Sequence, residues 1–247
     1  MNHVKFFNAL RSSSSVLFGS SLTTPQVLGV NALLDAGNDL PLHHIANVLA
    51  QVHHETGGGM YPVKETVLPN HTDKLPSDAE VRRRLEAAWS SGRLRQVGVK
   101  TPYWRGGAFG RGQIQITHEK NYAKFGITNY SDALKLDVSA RIAVEGMRDG
   151  MFTGKKLSDY DFPSALNNPP RTNPRRIVNG ADGSDDKVRQ LHMAFAAALE
   201  AAGWQQARTA RPAPVATPVV PPAPTADTPR FWVTFAAIIR SIFGGKK

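Results

Sequence analysis

The chain contains no cysteine, so disulfides, thiolate zinc sites and a thiol nucleophile are all excluded. Carboxylates are also scarce: 20 Asp and Glu face 30 Lys and Arg, a formal charge of +10. That balance favours polyanionic surroundings such as nucleic acids, acidic lipid or anionic wall polymers, and cannot choose among them. Nucleic acid is disfavoured on other grounds, because the aromatic residues are not interleaved with a basic stripe. No apolar run is long enough to cross a bilayer. The opening MNHVKFFNALRSSSS has only a five-residue apolar run broken by Asn8 and Arg11, too short for a signal peptide. Export is therefore expected to be supplied by something else. An internal repeat is lacking too.

What is present divides into three parts. Residues 211–230, RPAPVATPVVPPAPTADTPR, hold seven prolines, the composition of a semi-rigid spacer that reaches about 60 Å as polyproline II. The expected organisation is a catalytic body at 1–206, a Pro-rich linker at 207–230 and a tail at 231–247. The tail, FWVTFAAIIRSIFGGKK, is apolar from Phe231 to Phe243 apart from Thr234, Arg240 and Ser241. As a helix those thirteen residues span about 20 Å, short of the roughly 30 Å hydrocarbon core. Arg230, Thr234 and Ser241 form a narrow polar stripe opposite Phe231, Phe235, Ile238 and Ile242, the pattern of an amphipathic helix lying in an interface. Residues 230–247 are accordingly expected to bind anionic membrane or outer-membrane lipid; folding back on the body and self-association are the alternatives.

The body reads as mainly α. Thr24 as N-cap and Pro25 in the first turn open a helix that Gly37 ends; a second follows Pro41, with Leu42, Ile45, Leu49 and Val52 on one face and the glycines at 57–59 as its stop. Ser77 and Glu80 form a capping-box pattern ahead of Val81, Leu85 and Trp89. A last helix starts at Asp185 or Asp186 and presents Val188, Leu191, Phe195 and Leu199 until Gly203. One stretch breaks this rhythm: Gln113 to Thr117, QIQIT, alternates strictly after a glycine-rich run. Strand periodicity puts Ile114 and Ile116 toward the core and Gln113, Gln115 and Thr117 toward a cleft or solvent.

The chemistry-bearing stretch is HHETGGGMYPVKE, His53–Glu65. Glu55 falls at a helix C-terminus, where the macrodipole disfavours an ionised carboxylate and raises its pKa, as a general acid requires. An exposed helix-end glutamate is the plain alternative, and His53 and His54 are also explained as helix-end residues. No histidine follows Glu55 in zincin spacing, so a metal is not expected. Glu65 alone reads as a loop charge. Paired with Glu55 across a glycine turn it gains weight, because two carboxyl groups about 6.5–9.5 Å apart around a water are the equipment of an inverting glycosidase.

HHETGG, PVKE, GRGQIQITHEKNY, EGMRDGMFTGKKLSDY and RRIVNGADG resemble, in that order, the blocks of family-19 glycoside hydrolases, specifically the chitinase-like endolysins of bacteriophages, over about residues 23–200. The resemblance implies a lysozyme-like or chitinase-like, two-lobed helical domain with a small β-hairpin at the cleft. It implies Glu55 as general acid, Glu65 as general base and Thr117 as the hydroxyl that positions water. Plant-type chitinases carry a longer insert before their second glutamate, a departure that falls on Glu65. Gln115, Asn121, Tyr122 and Asn179 match saccharide-contacting positions, with Gln113, Arg176 and His54 as further candidates. No cofactor and no metal are implied. The expected activity is hydrolysis of the β-1,4 glycan of peptidoglycan by a monomer, held in the host cytoplasm until lysis and acting then in the periplasm and cell wall. A chitinase acting on chitin, or a metal-dependent wall peptidase or amidase, is the competing expectation.

Overall fold

The computed structural model describes residues 1–11, 16–65 and 73–207. Nearly all of the linker and the whole tail, with its proposed amphipathic helix, lie outside the described residues.

Eight α-helices are seen among the described residues. α1 (His3–Leu10) is capped by the Asn2 side chain, which accepts from Lys5 N–H, and buries Phe6 and Leu10 at helical spacing. α2 (Thr24–Ala36) starts one residue from the sequence expectation. Thr23 is the N-cap, exchanging hydrogen bonds with Gln26 in a capping box, and Gly37 closes the helix. α3 (Leu42–Glu55) buries ten of its fourteen residues, far more than one amphipathic stripe, because α2, α7 (Leu136–Arg148) and α8 (Asp185–Ala201) all pack on it. α1 in turn lies against α8. These helices and α6 (Glu119–Lys124) surround the larger apolar core, in which Ile45, Leu49, Met147, Leu191 and Phe195 are buried.

A second, smaller core is built by α4 (Asp78–Ser90), α5 (Arg93–Gln96) and the 3-10 turn Tyr103–Gly106, around Val81, Leu85, Leu94, Trp104 and Phe109. Ser77 caps α4 by accepting from Glu80 N–H at 3.1 Å. The return half of the expected capping box does not form, because two nearby guanidinium groups, Arg83 and Arg84, take the Glu80 carboxylate at 2.7 and 2.6 Å. The described residues are thus mainly α, with two cores and one small hairpin.

That hairpin joins β1 (Val63–Lys64) to β2 (Arg111–Gly112), antiparallel, with Val63 opposite Gly112 and Lys64 opposite Arg111. Asp78, the first residue of α4, bonds Lys64 at 2.7 Å and Arg111 at 2.8 Å, fastening the smaller lobe to the hairpin. QIQIT is not a strand. Arg111 and Ile116 exchange backbone hydrogen bonds of 3.2 and 3.0 Å, so residues 112–115 form a tight turn, with Gly112 at φ +89° and Gln115 at φ +54°. Residues 108–116 are buried throughout, and so the alternation of Gln and Ile reports two packed sides of a turn rather than one wet face.

Candidate functional site

Asn47, Gln51 and Glu55 recur every four residues and so share one face of α3, a polar line through an otherwise apolar interior. Arg175, on the 3-10 turn Pro174–Ile177, meets that line. Its guanidinium donates to Gln51 Oε1 at 2.6 Å, to Glu55 Oε1 at 2.6 Å and, from two nitrogens, to Asp182 Oδ2 at 3.1 and 2.8 Å. Arg175, Glu55 and Asp182 are all buried.

One fixed cation therefore stands between two carboxylates. Burial alone would raise the pKa of Asp182, but Arg175 and the Ser184 hydroxyl and N–H hold it down at about 2, so Asp182 is the ionised partner that neutralises Arg175. Glu55 moves the other way. Burial pushes its pKa up, the Asp182 charge adds to the rise, and the pull of Arg175 does not cancel them. The sequence argument attributed the same rise to the helix dipole; the structure shows that burial and a second carboxylate cause it.

Glu65 follows β1 and is fully buried in a different setting. Its N–H donates to the Gly110 carbonyl at 2.9 Å, Gly110 N–H donates back to Oε2 at 2.8 Å, and the Tyr103 hydroxyl donates to Oε1 at 2.5 Å. Burial raises its pKa, opposed by these donors and by Arg111. Gly110 is required here by close approach. A Cβ on it would lie 3.0 Å from Gln115 Oε1, 3.3 Å from Glu65 Cβ and 3.3 Å from Thr117 Oγ1. Glu65, Gln115 and Thr117 are thereby shown to surround one point.

Within that group the half-buried Thr117 donates its hydroxyl to the Gln115 carbonyl at 3.0 Å, and Asn121 donates to the Thr117 carbonyl at 2.7 Å. Gln115 spends its amide N–H groups on the Val63 and Gly112 carbonyls, while its buried Oε1 has no protein partner.

Other expected contacts lie elsewhere. Gln113 is not at a cleft: its amide donates to Met60 O at 2.6 Å and Gly29 O at 3.4 Å, inside the protein. It stitches α2 to the turn after α3, where Gly29 comes so near that a Cβ would sit 2.0 Å from Met60 O. Tyr122 is likewise interior, its hydroxyl donating to the Phe109 carbonyl at 2.7 Å while Arg111 donates to it at 3.3 Å. Asn179 is buried and donates to Asp182 Oδ2 at 3.2 Å, supporting the Glu55 network from behind. His54 is half-buried, and burial, then Arg175, lower its pKa to about 3. The resemblance nominated Arg176, yet Arg175 is the residue that reaches Glu55; Arg176 is half-buried, and its carbonyl accepts from Thr153 at 2.5 Å. Asp182 and Tyr103 were missed as well. The four-residue spacing of Asn47, Gln51 and Glu55 is the signal that announces a buried polar partner.

FTGKKLSDY, residues 152–160, forms a loop and the 3-10 turn Leu157–Asp159, and Lys155 and Tyr160 from it line a cavity of about 390 Å³. Among the described residues, no three His, Asp or Glu side chains converge as a metal ion would need. No helix among them is long and apolar enough to cross a membrane.

No family model matches the sequence, and no curated protein matches it. Two solved structures are similar. Chitinase C from Streptomyces griseus HUT6037 has a TM-score of 0.42 and 17% identity, over 83% of this chain and 78% of that one. A mutant of chitinase C has a TM-score of 0.42 and 16% identity over the same shares.

Proposed function

We propose that the protein is a glycoside hydrolase that cuts the β-1,4 glycan of bacterial peptidoglycan by a single displacement, acting as a bacteriophage endolysin. Glu55 gives its proton to the leaving glycosidic oxygen. Glu65 takes a proton from a water that attacks the anomeric carbon from the opposite face, with Thr117 orienting that water, and the configuration inverts.

The observation that carries this reading is the Glu55–Arg175–Asp182 arrangement. A buried carboxyl group beside a cation already neutralised by a second carboxylate retains its proton further up the pH scale, and that is the requirement on a general acid. The packing at Gly110 supports the second half by bringing Glu65, Thr117 and Gln115 together: the Glu65 Cβ, the Thr117 hydroxyl and the Gln115 Oε1, which has no protein partner, all lie close around this glycine. The ordered sequence blocks that resemble family-19 endolysins support the wall glycan as substrate, and the net charge of +10 favours an anionic wall.

Mass spectrometry of digested purified peptidoglycan tests the proposal. New reducing sugar ends are expected, absent with Glu55→Gln. New free amines without new reducing ends would replace it with a peptidase or amidase. Faster release from chitin than from wall would make the protein a chitinase.

A further inference from the structure

We propose that Tyr103 is a positioning residue for Glu65: the smaller lobe delivers its hydroxyl to the carboxylate, fixing the rotamer and setting the basicity of the group that activates water. The inference rests on the reading of Glu65 as the base.

Three observations carry it. First, the Tyr103 hydroxyl donates to Oε1 at 2.5 Å while Gly110 N–H donates to Oε2 at 2.8 Å, so each carboxylate oxygen has its own protein donor and the plane of the group is determined. Second, the two donors come from different places. Gly110 belongs to the run leading into the hairpin, already tied to Glu65 through its backbone, whereas Tyr103 starts the 3-10 turn of the smaller core. The contact therefore couples the placement of the second lobe to the geometry of the base. Third, the tyrosine itself is held: its ring packs edge-on against Trp104 at 5.1 Å and against His118 at 4.8 Å. A hydroxyl on so constrained a ring serves as a fixed donor.

Other charged or titratable groups bear on the same carboxylate. Arg111 on β2 pulls its pKa down, and Asp78 from α4 partly neutralises Arg111. Tyr122 on α6 senses the Glu65 charge and accepts from Arg111, and His118 faces the Tyr103 ring. Among these, Tyr103 is the side chain that donates to Glu65 directly. A hydrogen bond to the ionised form favours that form, so removing it makes Glu65 harder to ionise.

The test is Tyr103→Phe, which keeps the ring and removes one oxygen. Peptidoglycan hydrolysis is expected to show a kcat about ten-fold lower with KM little changed, the size of one hydrogen bond to a charged group. The acid limb of the pH profile is expected to move upward. Site-specific replacement of Tyr103 by a fluorotyrosine, a stronger donor, is expected to move that limb downward. Carbon-13 NMR of the Glu65 carboxyl in the substrate-free protein reads the same shift without turnover. An unmoved carboxyl midpoint in Tyr103→Phe overturns the inference, whatever the activity does. A moved midpoint with an unmoved kinetic limb removes Glu65 as the base and the positioning role with it. Loss of activity through KM alone, or in step with a lost fold by circular dichroism, would reduce Tyr103 to packing and overturn the inference equally.

Discussion

Glu55 and Glu65 are both buried and both have raised pKa values, but one sits against an arginine and the other against two neutral donors. The difference lies in what each environment does to a proton. At Glu55 the cation is shared with Asp182, so the carboxyl has a charged neighbour of each sign and its proton is retained by burial. At Glu65 the donors have no charge to share and stabilise the carboxylate only through hydrogen bonds, with Arg111 further off. Burial raises both; it is opposed at Glu55 by a cation that Asp182 shares, and at Glu65 chiefly by neutral donors that favour the ionised form.

The comparison can be broken in order of effect. Glu55→Gln is expected to lower the release of reducing ends about 10²–10⁴-fold with the fold retained by circular dichroism. Arg175→Met is expected to cost about 3–5 kcal/mol in urea unfolding, because the buried Asp182 carboxylate loses its counter-charge. The corresponding loss at Glu65, Tyr103→Phe, is expected to cost only about 1–3 kcal/mol, since a neutral donor is removed. If the two losses were equal, the charged and neutral environments would not differ in kind. Smallest is Asn121→Ala, which removes the bond to the Thr117 carbonyl and is expected to cost about 0.5–1.5 kcal/mol.

Stability against pH separates the same groups. His44, His53, His54, His118 and His192 all have lowered pKa values, chiefly through burial, with His54 and His192 near 3. The unfolded chain binds these protons near 6.5 and the folded chain resists them, so stability is lost as pH falls from 6.5 toward 3. Asp182 adds a further loss between 3.8 and about 2. Glu55 and Glu65 act in the opposite sense: their folded pKa values lie above 4.5, so the stability each contributes is present below that value and is lost as pH rises. Thermal midpoints measured across this range are expected to decline on acidification below 6.5, with the histidines outweighing the two glutamates by number.

Much of the scaffold is legible residue by residue. Val188, Leu191, Phe195 and Leu199 announce α8, and Leu42, Ile45, Leu49 and Val52 announce α3, because a 3.6-residue period needs no partner to be seen. α1 is harder to read: its apolar run looks broken until Phe6 and Leu10 are placed against α8. QIQIT misleads for a different reason, since alternation means a strand only where one side is wet, and here both sides are packed.

The sequence by itself made α2, α3, α4 and α8 legible, through local period and capping, while a proline-rich division was expected from composition and the two acidic side chains were nominated by resemblance. Only the tertiary structure decided what those acids meet. Arg175 and Asp182 lie 120 and 127 residues beyond Glu55, and Tyr103 lies 38 beyond Glu65. The proton affinity of a buried carboxyl is set by burial and by neighbours within hydrogen-bond reach, and no local pattern records which distant residues those neighbours are.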